Sequence, residues 1–320
     1  TLQDIGGPYP QRWEEELENT KEILDTPMFQ QAGISSCLGP HATDTVSEKL
    51  WEKIIEKSSS WQTPMHFHLA QSLDEIKRIS TKTKKSPVEW LQSLGVFAKK
   101  QNCLLAHGIY LSQKDLDIIS KQKQTLCFCP FSQMIFAVPA DVLAWQDNKI
   151  NWVVATDCAA SNDSMSTQKE LRYVSGVPLH RLSAKPSQLN QAQKERQQNF
   201  DRYAEFRDPN WLLQKVWQTP GSLHPQIKVG SLKEGFLANL LVWDLDHPNL
   251  WPSSTLKGIA MTDSTSAIDG MMVNGKWIAN SPTGFQQNLL ATNLYKESLL
   301  EAKQRLVALR KKIPAIEMLD

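Results

Sequence analysis

Four short stretches of the sequence place an imidazole or a carboxylate group at or just after the end of an apolar run. Imidazole nitrogens and carboxylate oxygens are the usual ligands of divalent ions in hydrolytic sites, which also need an open position for water and a nearby base. His68 and Asp157 are the candidate metal ligands, and Asp157 is also the candidate proton acceptor. His107 is a candidate for binding the substrate or steadying the attacking water, and His41 for reaching a substrate ring. The stretches are GPHATDT, MHFHLAQ, LLAHGIY and VVATDCAASND.

The order of these groups favours one shared site. Any single histidine could instead be a core residue whose ring is satisfied by hydrogen bonds. However, His68, His107 and Asp157 are spaced about 40–50 residues apart, as expected for groups carried by βα units, whose catalytic groups lie at the carboxyl ends of strands. A metal-dependent hydrolytic site accounts for the whole set. His66, two residues before His68, is expected to have a structural, hydrogen-bonded role.

Short runs of β-forming residues alternate with helical patterns through the first part of the chain. Five such units end before about residue 175, and Ser47 and Ser112 are placed to cap the helices after the first and third runs. Strands that alternate with helices indicate βα units and a parallel sheet. The predicted fold class is therefore α/β.

The pattern then changes, which predicts three parts of the chain. Residues 1–225 are predicted to form the α/β part. In residues 226–285, glycine turns and alternating apolar residues indicate a small β unit. Residues 286–320 are predicted to form a closing amphipathic helix.

Composition and charge narrow the class of protein. With 35 basic and 34 acidic residues the formal net charge is +1, so no long-range field favours a polyanion and no nucleic-acid partner is expected. The sequence has no apolar run long enough to predict a membrane span. The five cysteines are irregularly spaced, which is typical of reduced thiols in a cytoplasmic protein rather than of a disulfide framework.

Five segments, taken in chain order, resemble the signatures of the amidohydrolase superfamily. The resemblance is nearest to its chlorohydrolase and aminohydrolase branch, which includes S-adenosylhomocysteine, guanine and cytosine deaminases. A sixth segment, VGSLKEGFLANLLVWD, resembles the element with which that branch returns to a β-sandwich beside its barrel. The five segments are GPHATDTVS, MHFHLAQ, LLAHGIYLS, FCPFSQ and VVATDCAASNDSMSTQKELR.

The resemblance implies a TIM-type (β/α)8 barrel, of which strands four to eight lie in this chain, with part of a small β-sandwich domain. It implies one divalent ion, with zinc as the first expectation and iron as the alternative. By the family's motifs, His68 is the fifth-strand ligand, His107 the sixth-strand histidine and Asp157 the eighth-strand ligand and base. A small heterocyclic substrate and a homo-oligomeric assembly are expected.

One departure from the family pattern concerns the proton shuttle. The fifth-strand motif of the family is H-x-x-E, whereas this chain reads HLAQ, with Gln71 at the catalytic position of the glutamate. Glutamine donates and accepts hydrogen bonds but does not transfer a proton at neutral pH, and such a transfer contributes about 10²–10⁴-fold to a rate. Gln71 therefore indicates either a substrate that does not need that proton or a weakened relative, and it argues against purine deamination.

A second departure concerns the start of the barrel. No H-x-H pair, which forms the family's first-strand ligands, precedes His41, so strands one to three are expected to be missing from this chain. Strands four to eight alone would leave unpaired sheet edges, and an amino-terminal segment or a neighbouring subunit is expected to close the barrel. His68 and Asp157 are two ligands where a catalytic zinc site usually has about three, so weak metal binding is expected without that segment.

Two functions of different classes follow from these residues. The first is a metal-dependent hydrolase that cleaves a C–N bond of a heterocycle, as a deaminase or aminohydrolase does. The second is a catalytically weakened or inactive relative that keeps the barrel for binding or assembly. Its grounds are Gln71 and the sequence ATD, ending at Asp157, where the family usually has GTD.

Overall fold

Four short strands form a parallel sheet and lie side by side in chain order. Each strand is followed by at least one helix, which is the predicted βα arrangement. The computed structural model describes residues 1–6, 10–98, 103–136, 138–180, 197–224 and 227–311. The strands are β1 (Met65–Leu69), β2 (Cys103–His107), β3 (Thr125–Phe128) and β4 (Asn151–Val154).

The helices around this sheet begin where the sequence supplies capping residues. The Ser47 hydroxyl accepts a hydrogen bond from the Leu50 N–H at 3.2 Å, and the Ser112 hydroxyl accepts one from the Asp115 N–H at 3.3 Å. Both predicted N-caps are therefore confirmed. The helices up to residue 180 are α1 (Trp13–Asp25), α2 (Pro27–Gln31), α3 (Glu48–Trp61), α4 (Leu73–Thr83), α5 (Pro87–Ser93), α6 (Gln113–Lys121), α7 (Pro130–Ile135), α8 (Val142–Asp147), α9 (Ala159–Asn162) and α10 (Thr167–His180).

The pairing extends beyond β1 through single parallel bridges. Leu38 and Ala42 bridge to β1, and Leu2 bridges to Pro40 on the far side. The strand predicted in residues 32–39 is therefore present only as isolated bridges at its carboxyl end. Pro40 is one reason for this irregularity, because a proline has no N–H to donate to a ladder.

One face of the parallel sheet packs against the helices and forms the core. In β1, Met65, Phe67 and Leu69 are buried, since alternate residues of a strand point to the same face. His66 and His68 consequently lie on the other face. Aromatic rings fill much of the core layer, in contacts that join Phe128, Trp145, Trp152, Phe206 and Trp211.

A second, antiparallel sheet lies in the carboxyl-terminal part and is formed by β5 (Leu240–Trp243), β6 (Ile268–Val273) and β7 (Lys276–Trp277). Asn274 and Gly275 connect the last two strands with positive φ angles of 47° and 77°, the conformation that a two-residue hairpin turn requires. The described helices after α10 are α11 (197–202), α12 (Pro209–Val216), α13 (Gln218–Gly221), α14 (Thr255–Met261), α15 (Phe285–Ala291) and α16 (Asn293–Arg310).

The antiparallel sheet falls within the predicted part 226–285, and α16 falls within 286–320. The boundaries of the three parts stay a prediction, and residues 312–320 lie outside the described residues. Within the described parts of the chain, no helix combines the length and the apolar character needed to cross a bilayer. The five cysteines are free thiols, three of them buried.

Candidate metal centre at the carboxyl ends of the strands

Three of the predicted site residues come together at the carboxyl ends of β1, β2 and β4. His68, His107 and Asp157 each offer one donor atom, and these atoms lie within 4.8 Å of one another. The rings of His68 and His107 stack with centroids 5.4 Å apart and an interplanar angle of 11°. His41 extends the row, with its ring 5.1 Å from that of His68 in an edge-on arrangement.

His107 reaches this cluster through a break in strand geometry. Leu105, two residues earlier, is buried in the core, so a regular strand would place His107 on the same core face. Instead His107 has a φ angle of 76°, and its ring stacks on His68 on the opposite face. The next residue is Gly108, with a φ of 55°, where an added Cβ would lie 3.0–3.1 Å from neighbouring side chains.

The His107 side chain is buried without hydrogen bonds. It is 2% exposed, and neither ring nitrogen has a hydrogen-bond partner among the described residues. Burial lowers the pKa of His107 to about 4, against the opposing effect of the Asp157 charge. A neutral imidazole therefore presents an unused lone pair, and a buried polar group left unpaired costs about 1–3 kcal/mol. A metal ion, water or substrate atom would satisfy it.

The tautomer of His68 follows from its hydrogen bond. Its Nδ1 lies 2.6 Å from the carbonyl oxygen of His41, and a carbonyl oxygen can only accept, so Nδ1 carries the proton. The Nε2 lone pair of a neutral ring is then available to a ligand. Metal-binding histidines are usually held by such a bond from the second ring nitrogen, which orients the ring.

Two serine hydroxyls hold the Asp157 carboxylate. Ser132 donates to Oδ2 at 2.6 Å and Ser161 donates to the same oxygen at 3.0 Å. Burial alone would raise the pKa of Asp157, but these hydrogen bonds and the neighbouring His107 hold it below its ordinary value. The described side-chain hydrogen bonds thus occupy Oδ2 and leave Oδ1 without a side-chain partner, and the Cys158 N–H adds a main-chain hydrogen bond to the carboxylate.

These donors fit one divalent ion. Two imidazoles and a carboxylate match the preferences of zinc and of non-haem iron. Such an ion would bind a ring nitrogen of His107, which has no described hydrogen-bond partner, and the oriented Nε2 of His68.

The number of donors in the cluster differs from the expectation of two ligands, His68 and Asp157. His107 lies as close as these two, so the described chain offers three donors.

The remaining predicted residues lie at the edge of the cluster. His41 is half-buried, and its Nδ1 lies 2.9 Å from the Thr45 hydroxyl. Gln71 follows β1 with an exposed side chain, and its main-chain N–H donates to a Glu75 carboxylate oxygen at 2.8 Å. The ring of His66 has no hydrogen-bond partner among the described residues, so the hydrogen-bonded role expected for it is not found.

Sequence reasoning missed Ser132, Ser161 and Glu75. Ser132 is 1% exposed and Glu75 is 3% exposed, yet each is a polar residue in the first turn of a helix, where an exposed capping role is the ordinary expectation. Their position in the sequence could have indicated them, because all three follow soon after a predicted strand. Helices that begin there lie beside the strand ends that carry the site.

Comparison with known proteins defines the class. Residues 6–193 match the model of the amidohydrolase family. The match covers more than half of the chain, and the chain therefore belongs to the amidohydrolase family. The family predicted from the five segments is confirmed.

Two curated proteins and one solved structure illustrate the similarity. The chain is 30% identical to 5-methylthioadenosine/S-adenosylhomocysteine deaminase of Pyrococcus horikoshii, over 83% of this chain and 60% of that protein. It is 25% identical to 5'-deoxyadenosine deaminase of Methanopyrus kandleri, over 84% of this chain and 58% of that protein. The structure of an adenosine deaminase from Xanthomonas campestris with bound zinc superposes with a TM-score of 0.77 at 18% identity, covering 97% of this chain and 65% of that one.

These matches confirm the predicted α/β fold. They also show that the chain spans about 60% of the length of the curated relatives that it matches.

Proposed function

We propose that this chain provides metal-binding and substrate-facing residues of a metal-dependent hydrolase that cleaves a C–N bond of a heterocycle, as a deaminase or aminohydrolase. The observation that carries the proposal is the cluster of His68, His107 and Asp157, whose donor atoms lie within 4.8 Å of one another. The relatives described above are named as deaminases, which supports the reaction class.

In this proposal His68 Nε2 and Asp157 Oδ1 hold the ion, and His107 either shares it or contacts the reacting water. A bound zinc or iron ion would supply the Lewis acidity that brings the pKa of water to about 7. Zinc is the first candidate, because it prefers nitrogen and carboxylate ligands and needs no change of oxidation state.

The residues of the chain have separate tasks in the reaction. Asp157, besides holding the ion, accepts the proton of the attacking water, while Ser132 and Ser161 donate to its Oδ2. His107, neutral at pH 7, orients the water or the oxygen that gains charge at the ring carbon. His41, beside His68, contacts the substrate ring.

Gln71 constrains the substrate. Its amide donates one hydrogen bond and accepts another but moves no proton, so it suits a ring that already carries an N–H at the contacting atom. The named relatives act on adenosine derivatives, by their names, and that is the purine class against which Gln71 argues. Purines and rings with their own N–H are therefore both needed in a substrate panel.

Ammonia release tests the proposal. Full-length, metal-loaded protein is incubated with purines, pyrimidines, pterins and imidazolones, and we expect turnover of one ring class. Removal of the metal by a chelator should abolish it, and readdition of zinc should restore it. Bound metal without turnover of any of these rings would count heavily against a hydrolase.

The second candidate is a weakened or inactive relative that serves binding or assembly, and Gln71 is the observation that favours it. Gln71→Glu separates the two. If the variant gains activity by orders of magnitude, the natural protein has lost a working acid. If it loses an existing activity, glutamine is the functional residue and the hydrolase proposal stands.

The proposal also covers the ion, the assembly and the location of the protein. We propose zinc as the ion, a homo-oligomer as the assembly and the cytoplasm as the location. Metal analysis of the purified protein, sedimentation and fractionation of cells test these three points one by one.

A further inference from the structure

Three helices of the α/β part begin with the same capping chemistry. α4, α5 and α6 each follow a serine whose hydroxyl accepts a hydrogen bond from the N–H three residues later, and that later residue is acidic. A serine followed in this way by an acid is expected to form a capping box, in which the acid accepts from the N–H of the serine. The pairs are Ser72 and Glu75, Ser86 and Glu89, and Ser112 and Asp115.

Two of the three acids complete the box. Glu89 accepts from the Ser86 N–H at 2.9 Å, and Asp115 accepts from the Ser112 N–H at 2.9 Å. Glu75 does not, because its carboxylate turns to the loop before the helix.

In that loop, Glu75 holds two consecutive main-chain amides. Its Oε1 accepts from the Ala70 N–H at 2.9 Å, and its Oε2 accepts from the Gln71 N–H at 2.8 Å. The Glu75 side chain, 3% exposed, is therefore bound to the residue that occupies the catalytic position of the family.

Glu75 also binds a second loop of the site. The Thr43 hydroxyl donates to Glu75 Oε1, and Thr43 is fully buried. Thr43 follows Ala42, which bridges to His68, and lies two residues after His41. One carboxylate thus joins the loop that carries His41 to the loop that carries Gln71.

The turn that Glu75 holds is strained. Ala70 has a φ of 50°, a left-handed conformation that is disfavoured for a residue with a Cβ. Its carbonyl oxygen accepts from the N–H groups of Ile109 and Tyr110 at 3.1 and 3.0 Å, so its two flanking peptide groups are both fixed. Strained residues persist when surrounding contacts hold them in this way.

We infer that Glu75 is a positioning residue that sets the direction of Gln71 at the site and couples it to the His41 loop. The role of Gln71 in this inference rests on the proposed function, whereas the hold on the loop does not. The ionised form of Glu75 suits this role, because a carboxylate can accept from all three donors. In Glu75→Gln, the new side-chain N–H₂ group would face one of these donors instead of accepting from it.

Hydrogen exchange of the full-length protein tests the hold on the loop without any assay of activity. In Glu75→Gln, the amides of Ala70 and Gln71 should exchange about 10–100-fold faster, as expected when a hydrogen bond to a charged acceptor is lost. Asp115→Asn is the matched control, since Asp115 is an equally buried acid at the same helix position, and it should leave these two amides unchanged. Unchanged exchange of both amides in Glu75→Gln overturns the inference, whatever the activity of the protein.

Kinetics then test the link to Gln71. With a substrate found in the ammonia assay, Glu75→Gln should lower kcat/KM about 10–100-fold at unchanged metal content, and Asp115→Asn should lower thermal stability with kcat/KM retained. Because Glu75 is inferred to act through Gln71, it should have little further effect in a Gln71→Ala background. Fully additive losses overturn the link to Gln71. A wild-type protein that turns over no ring counts against the proposed function instead, and hydrogen exchange still decides whether Glu75 holds the loop.

Discussion

The core face of the parallel sheet and the carboxyl ends of its strands differ in backbone geometry. On the core face, regular alternation places Met65 and Phe67 of β1 against the helices. At the carboxyl ends of the strands, Ala70, His107 and Asp157 have φ angles of 50°, 76° and 64°. None of these three is a glycine, so each adopts a backbone region that its Cβ disfavours. Regular strand geometry therefore builds the core and presents His68, whereas His107 and Asp157 reach the site through departures from that geometry.

The difference has an energetic basis. A left-handed residue with a Cβ is disfavoured by about 1–2 kcal/mol, and the buried His107 ring adds an unpaired polar group. Large aromatic side chains bury about 150–250 Å² each, and the core face contains several of them, including Phe128 and Trp152. Burial on one face thus offsets the strain that positions the polar groups on the other.

Asp157→Asn should have the largest effect of these variants, and it should change activity and metal content rather than the stability of the fold. Asparagine tolerates the positive φ, so the fold is kept, but the proton acceptor and a metal ligand are lost. We expect kcat/KM to fall by about 10⁴-fold, with metal content reduced and the melting temperature little changed. Asp163→Asn, at an exposed residue of the same loop with a φ of 57°, is the control and should retain activity.

Phe128→Ala should show the opposite pattern. Phe128 is fully buried on the core face, so the variant should lose about 3–5 kcal/mol in free energy of unfolding, measured by denaturant titration. The activity per folded molecule should be retained. Phe136, which is 60% exposed, supplies the control, since its replacement by alanine should change stability by less than about 0.5 kcal/mol. Equal losses in the two variants would contradict the division between the faces.

Ser132→Ala tests how the carboxylate is held. Ser132 makes the shorter of the two hydrogen bonds to Asp157 Oδ2, and loss of such a supporting bond lowers metal affinity or activity by about 10–100-fold. Titration of the metal-free protein with zinc measures this. Ser161→Ala should have a smaller effect, and the reverse order would show that Ser161 carries the carboxylate.

Lys215 makes the core face sensitive to pH. Its ammonium group lies 4.4 Å and 4.8 Å from the ring centroids of Trp152 and Trp211, and burial lowers its pKa to about 8. The unfolded state keeps a pKa of about 10.4, so between these values the unfolded state binds more protons and stability rises with pH. Below pH 8 the penalty for burying the charge is fully present.

Lys215→Met should remove this dependence. The melting temperature of the wild type should therefore rise, relative to that of the variant, as the pH increases from 8 to about 10. Lys215→Arg, which stays charged over this range, should show no such rise. Parallel pH profiles for the wild type and both variants would contradict the assignment to Lys215.

Ala70→Gly should have the smallest effect, and it should increase the free energy of unfolding rather than decrease it. Glycine relieves the left-handed strain of about 1–2 kcal/mol but adds chain entropy to the unfolded state. We expect a gain of about 0.5–1 kcal/mol in free energy of unfolding. Gly108→Ala is the contrasting variant, because an added Cβ would meet Leu126, Leu111 and Trp145 at 3.0–3.1 Å, and it should destabilise the protein.

Local patterns in the sequence determined the elements of the fold. Apolar runs predicted β1 to β4, the serines at 47 and 112 predicted helix starts, and an imidazole or carboxylate at the end of a run predicted the residues of the site. The inferences about strands and helix starts succeed because strand burial and helix capping depend on residues close together in the chain. The strand predicted in residues 32–39 was the weaker case, since a proline interrupts its pairing.

Only the tertiary structure decided how these residues meet. His107 belongs by alternation to the core face, and its positive φ, which residue type does not specify, moves its ring beside His68. Ser132 reaches Asp157 across 25 positions of sequence, and Thr43 reaches Glu75 across 32. A serine followed three residues later by an acid is the pattern of a capping box, and Glu89 and Asp115 complete that box. For Glu75 the competing donors come from other loops, and the balance between a local and a distant hydrogen bond is settled only when the chain is folded.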